Sequence, residues 1–356
     1  MSGIVSDNVD DGSGVINAPT GGATVSSSNP TTSTNAALGT NWANSSTGDY
    51  YICTDATTDA NVWTNVDAGQ DSIQPYAFGG TASGYQTGGY PPNSDIMNKF
   101  SFTSDGDSSD IGNLTLARHA LAGVSGSDYG YACGGAPDPA KDTIDKFAFS
   151  SDGNAVDQGD LTEGNNYLAG HASETFGYTS GGLNSDPTPA AQDRIEKFTF
   201  ASSANATDVA NLSVARGHAF GQSSVTHGYS SYTTTVDKFV FASDGDASDV
   251  GALSDSRIQG AGQSSSTHGY SSGGYPASNV VDKYSFASEG TAGDVGNLTV
   301  ARGRCSAQSS TTYGYVAGGD APVSNVIDKF AFSSDGDSSD VGNLTGAISI
   351  TTGQHF

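Results

Sequence analysis

The sequence predicts an all-β chain: six repeats of four short strands, set as the blades of a ring, behind a small N-terminal segment that also holds strands. Three observations predict it. A phrase seen most cleanly as VIDKFAFSSDGDSSDVGNL at 326–344 recurs at 96–114, 144–161, 195–212, 236–253 and 281–298, with spacings of 47, 51, 41, 45 and 46 residues. Every copy holds a Lys followed by an aromatic residue (Lys99, Lys146, Lys197, Lys238, Lys283, Lys329), and a closing Leu lies 14 residues beyond that aromatic. From each of the first five closing Leu residues, 17 residues lead to the Tyr of a GY pair, with Gly-Gly three residues later except in the fourth copy, which has Ser231-Tyr232 in that region. Such periods mark propeller blades or solenoid units, and four strands per period favour blades.

The chain divides by composition. Residues 1–40 read as an extended arm, because 17–40 are rich in Pro, Gly, Ser and Thr without a sustained period. Residues 41–71 read as a small β unit of two or three strands. Its turns fall at Ser45–Gly48 and near Asp55–Asp59, and Trp42, Tyr51 and Trp63 form its aromatic cluster. A unit this small is marginal alone and leans on the main domain or on a partner.

From 72 to 356 the repeat governs. In its last unit the strands are expected at 302–309, 313–317, 325–332 and 340–344, and alternation splits the third into two faces. Asp-Gly after the third strand (Asp105-Gly106, Asp152-Gly153, Asp244-Gly245, Asp335-Gly336) predicts a tight hairpin. All length variation lies between Gly-Gly and the Lys-aromatic pair, where eight of the eleven prolines fall. A fixed scaffold that varies at one topological position carries variable loops on one face. The tail after Leu344 aligns with the first strands of other units, so 347–355 is expected to complete the first blade, for which the upstream stretch 73–80 fits poorly.

The Arg heading the first strand, GYxxGG on the second, (V/I)DKF on the third and the terminal Leu after Asp-Gly together resemble the kelch β-propeller repeat over roughly 72–356. The blade Trp of that family is absent, with the closing Leu in its place. The resemblance implies a six-bladed propeller of four-stranded blades. The opening GIVSDNV…SGVI, the segment NSSTGDYYICTDATTDANVWTNV and the DKFxFxSDGxxxDVGNL repeats are similar to stretches of tail-fibre and other structural proteins of tailed bacteriophages, particularly marine and cyanobacterial ones. This second likeness implies a virion component assembled in the host cytoplasm, with a role in host attachment or particle decoration.

Bulk chemistry narrows the function. The formal net charge is −25, from 38 acidic and 13 basic residues, and six of the seven Lys belong to the repeat, which disfavours nucleic acid. No apolar run is long enough to span a bilayer and no secretory signal opens the chain. The sparse, odd set Cys53, Cys133 and Cys305 argues against a disulfide framework or a zinc site, and it does not match the copper cluster of kelch-type oxidases.

Features that recur in every copy read as architecture, since a catalytic site needs one asymmetric constellation. This covers the Asp four before each closing Leu, the acid before each Lys and the NLT and NLS triplets. Arg118, Arg216, Arg257 and Arg302 are expected to tie adjacent blades, with an anion-attracting ring as the rival reading. His227 and His268 occupy an aromatic layer. The SDGDSSD stretches are acidic enough to hold Ca2+ weakly at the surface but lack EF-hand spacing, so no cofactor is expected.

The resulting expectation is a non-enzymatic virion protein. Its N-terminal segment would dock to other virion proteins, a homo-oligomer being left open, and its loops would meet a host glycan or protein. The loop residues singled out are Tyr90, Pro91, Asn93, Asp138, Asn184, Asp186, Tyr232, Tyr275, Asn279 and Asp320. The alternatives are a purely structural particle-bridging module and an enzyme that degrades surface polysaccharide.

Overall fold

The structure, a computed structural model, describes residues 23–66, 78–184 and 189–356. The chain divides into two compact units, 1–76 and 77–356. Among the described residues there is no helix.

In the first unit Thr24–Ser26, Asn41–Asn44, Tyr50–Asp55 and Val62–Asn65 form one sheet in chain order, its first pair parallel and the others antiparallel. Tyr51, Cys53 and Trp63 are buried, and Trp42 meets Trp63 edge-on with centroids 5.9 Å apart. The expected arm over 1–40 is corrected in its described part. Thr24–Ser26 is a strand, and the residues after it serve the tryptophans: Trp42 Nε1 donates to the Ser28 carbonyl at 2.9 Å and Trp63 Nε1 to that of Thr31 at 3.2 Å. A buried indole N–H needs an acceptor, and a Ser/Thr-rich chain offers backbone carbonyls that composition alone reads as linker.

The second unit consists of antiparallel sheets, five of them four-stranded, one three-stranded and one a two-stranded ribbon, in a propeller-like all-β arrangement. The last sheet is Ser306–Ser309, Tyr313–Ala317, Val326–Ala331 and Ser339–Asn343, close to the predicted strands. In each copy the Gly of GY lies opposite the aromatic after Lys, as Gly314 does to Phe330. A Cβ on Gly314 would come 2.4 Å from that ring, so this Gly is required by the cross-strand aromatic. All six closing Leu residues are buried.

Four features depart from expectation. Asp-Gly forms no two-residue hairpin; it lies within a longer connection, 102–108 in the first copy, where its carboxylate pairs with Lys329 of the neighbouring sheet. The third sheet's long insertion adds a small ribbon, Leu183–Asn184 with Ala190–Ala191. The fourth sheet has three runs, Phe220–Ser223, His227–Val240 and Ser248–Arg257. The middle run reverses on itself near Thr233 (φ 50°), since Gly228 lies against the Phe239 ring, which one extended strand could not allow. Finally, the completing strand of the first sheet is Thr352–His355, shorter than 347–355; it pairs with Ser83–Gly89, which is followed by Ser94–Ser101 and Ser109–Arg118. Of the stretch 73–80, residues 73–77 lie outside those described, and Gly80 bridges to Ser310.

Neighbouring sheets are joined by repeated polar links. Arg118–Asp145, Arg216–Asp237, Arg257–Asp282 and Arg302–Asp328 are buried ion pairs at 2.7–3.1 Å. The same carboxylates accept from the N–H and hydroxyl of Thr115, Ser213, Ser254 and Thr299. The NLT and NLS triplets therefore serve the scaffold. Where Ile348 replaces the Arg, the acid becomes Asn98, which accepts from Thr345 Oγ1 at 2.6 Å and donates to Gln86 Oε1 at 2.7 Å. Where Asn165 replaces it, Glu196 takes the acid's place and accepts from Thr162 N and Oγ1.

The repeat lysines reach one sheet onward: Lys99 to Asp152, Lys197 to Asp244, Lys238 to Glu289, Lys283 to Asp335 and Lys329 to Asp105, at 2.7–3.2 Å. Lys146 would need its partner at Ser203, and it stands instead 4.0 Å over the Tyr129 ring. The layer expected at His227 and His268 is a platform for these lysines, as Phe176 under Lys197 and Tyr313 under Lys329 show.

The first strands, Ala122–Ser125, Ala169–Ala172, Phe220–Ser223, Ala261–Ser264, Ser306–Ser309 and Thr352–His355, lie each against the next, and the last lies against the first.

Candidate functional site

The six first strands surround a cavity of about 120 Å³. Its lining is organised in layers set by distance from the closing Leu. The sixth residue after each Leu is Ala120, Tyr167, His218, Gln259, Arg304 or Ile350, and all six have left-handed φ of 54–64°. Their backbones form a cycle: Ala120 N–H donates to Ile350, Ile350 to Arg304, Arg304 to Gln259, Gln259 to His218, His218 to Tyr167 and Tyr167 to Ala120, at 2.8–3.0 Å. Left-handed conformation costs a non-glycine residue about 1 kcal/mol, and satisfying six inward backbone groups offsets that cost.

Three residues deeper the lining is Gly123, Gly170, Gly221, Gly262, Ala307 and Gly353. A Cβ on any of these five glycines would meet a neighbouring carbonyl at 2.1–2.2 Å, so backbones close together there. Deeper still, Ser223, Ser264 and Ser309 hydroxyls and His355 Nδ1 each accept a backbone N–H from the preceding sheet. Phe78 lines that end, its carbonyl 2.8 Å from His355 Nε2.

The variable loops begin at the other end. The residue after each Gly-Gly bridges to the residue just before the backbone cycle: Tyr90 to Ser349, Ala136 to His119, Leu183 to Asn166, Tyr275 to Ile258 and Asp320 to Gly303. The loops therefore rise around the mouth formed by the cycle.

The residues singled out from sequence distribute unevenly there. Tyr90 is exposed, with its ring 5.2 Å from His119, and Asn93 Oδ1 lies 2.8 Å from His119 Nδ1. Pro91 and Asp138 are exposed, while Asn184 is half-buried in the ribbon; Asp186 lies outside the described residues. Tyr232 belongs rather to the scaffold, half-buried with the Arg216 guanidinium 5.8 Å from its ring centre. Asn279 is half-buried and its carbonyl accepts from Leu298 N–H at 2.7 Å. Tyr275 is 50 % exposed, with the Arg304 guanidinium 5.3 Å from its ring centre. Asp320 accepts from Arg304 Nη1 at 2.8 Å.

Sequence reading missed Tyr167, Gln259 and Arg304, and gave His218 no role. These four come from consecutive sheets. The Tyr167 and His218 rings lie 4.1 Å apart, Gln259 Nε2 donates to His218 Nδ1 at 2.8 Å, and Arg304 Nε donates to Gln259 Oε1 at 2.9 Å. With Nδ1 accepting, the proton of neutral His218 sits on Nε2, and burial together with nearby Arg304 pushes its pKa down. Burial raises that of Tyr167. The mouth thus has a polar arc facing Ala120 and Ile350. The signal available in sequence was six different residues at one fixed distance from the closing Leu.

Other ionisable groups serve the scaffold. Cys133 and Cys305 are buried free thiols held above the ordinary range by burial, Cys305 at about 11. Of the acidic stretch 104–110, Asp105 pairs with Lys329 and Asp107 accepts from Asn343 N–H. No group of three His, Cys, Asp or Glu able to hold a metal occurs among the described residues. Comparison of the sequence with protein-family models and with curated proteins gives no match to either.

Proposed function

We propose that the protein is a non-enzymatic virion component, a tail fibre, appendage or decoration protein, that presents a closed six-bladed kelch-like propeller for attachment to a host-surface glycan or protein. Closure is supported by the six-membered backbone cycle, by the Thr352–His355 strand in the first sheet and by Lys329 reaching Asp105 across 224 residues of chain. The virion assignment rests on the sequence resemblance of the repeats and the N-terminal segment to phage structural proteins, and it makes residues 1–71 the link to other virion proteins.

The observation that carries attachment is the gathering of length-variable loops and of the non-repeating cycle residues at one mouth, while everything repeated is consumed by the scaffold. Such a surface changes its chemistry without cost to the fold. The test is binding of fluorescently labelled protein to a panel of cyanobacterial and other marine bacterial cells, with Tyr90→Ala and Tyr275→Ala as loop variants. Saturable binding that falls at least tenfold in the variants, without release of reducing sugar, is the expected result. Release of reducing sugar would make the protein an enzyme, and absence of binding would make it a structural module.

A further inference from the structure

At the mouth, the Arg304–Gln259–His218 arc is rigid before any ligand arrives, since its backbone belongs to the cycle and its side chains bond one another. Each end of the arc nevertheless keeps a group to offer. Arg304 uses Nε and Nη1 internally, which leaves Nη2, and His218 keeps its Nε2–H.

Charge selects the ligand class. Asp320 neutralises Arg304, so the arc carries no net charge, while the −25 of the whole chain opposes the approach of anions. A ligand suited to this site is uncharged, rich in hydroxyls that accept from these donors, and apolar on one face. The arc meets the hydroxyls, while Ala120 and Ile350 opposite and the exposed Tyr275 ring meet apolar surface. Depth sets its size, because the glycine layer brings backbones together three residues further in.

We propose that this mouth is a pocket for a single uncharged sugar residue at the free end of a glycan, with Arg304 and His218 as its hydrogen-bonding groups; this deepens, and rests on, the attachment reading above. Substitutions at the cycle have an internal precedent, since Ala120 occupies the same left-handed position, so Arg304→Ala and His218→Ala leave the fold in place.

The experiment is saturation-transfer NMR and calorimetry on the full chain with neutral hexoses, N-acetylhexosamines and hexuronic acids, alongside the cell-binding assay. Transfer to neutral sugars, with affinity at least tenfold weaker in R304A and H218A at unchanged melting temperature, is expected. Preference for hexuronic acids, no transfer to any sugar, or unchanged affinity in both variants would overturn the proposal. Cells bound equally well by wild type and both variants would remove the pocket from attachment while the attachment reading stands. Sugar binding without cell binding would keep the pocket and remove host attachment.

Discussion

Arg302 and Asp328 show how single residues hold neighbouring sheets. The pair is buried, 3.1 Å apart, and each partner is tolerable only because of the other. Removing the guanidinium's partner leaves an uncompensated buried charge, so Asp328→Ala is expected to cost about 3–5 kcal/mol. The chain contains its own alternative, Ile348 with Asn98, and the double change Arg302→Ile with Asp328→Asn is expected to cost much less than Asp328→Ala. Urea unfolding of the three proteins measures the difference. Histidines supply a second test at this scale. Burial pushes His171 and His355 down to about 4, while the unfolded chain takes up its proton near pH 6.5. Stability that depends on their neutrality is complete above pH 6.5 and is lost as pH falls toward 4, by about 1.4 kcal/mol per pH unit for each ring. Gln stands at the position of His171 in four other sheets, so His171→Gln is expected to remove one such ring and flatten the loss, read by urea unfolding between pH 7 and 4.5.

Within a single sheet the decisive pairing is glycine with an aromatic ring. Gly177 lies across from Phe198, and a Cβ there would come 2.3 Å from the ring. Gly177→Ala must displace Phe198 from a core it shares with Tyr131 and Leu161, and the expected cost is about 2–3 kcal/mol, seen as a lower melting temperature. The two partners were legible as GY and Lys-aromatic, each at a constant distance from a closing Leu, though not as one contact. The Asp-Gly turn was misread because the dipeptide lies inside a seven-residue connection, a length kept in the third copy where Ser203-Ala204 replaces it and no lysine reaches it. The fourth unit's missing Gly-Gly was visible, and its consequence, a run that reverses within itself near Thr233, followed from having only a short connection to span.

At the scale of the molecule, the C-terminus completes what the second unit begins. Thr352–His355 pairs with Ser83–Gly89, Gln354 donates to the Tyr131 carbonyl at 3.0 Å, and Ile350 supplies one link of the backbone cycle. Deleting 346–356 is expected to abolish cooperative unfolding, with scanning calorimetry as the readout. A sharp transition at the wild-type temperature would sink the idea that the sheets depend on that strand. Removing an exposed Lys–Asp link, as in Lys329→Ala, is expected to change stability by less than about 1 kcal/mol.

The sequence by itself determined the number of repeats, the strands within each, the aromatic cluster of the first unit and the position of the variable loops. Each of these is a matter of local pattern and constant spacing, which chain order preserves. Tertiary structure alone decided which face the loops share with the backbone cycle, and that Tyr167, His218, Gln259 and Arg304 meet there. Those four are 41–51 residues apart in sequence from one to the next, and nothing local ties them together. They are neighbours because each sheet places the sixth residue after its closing Leu at the same mouth, where backbone bonds between sheets hold it.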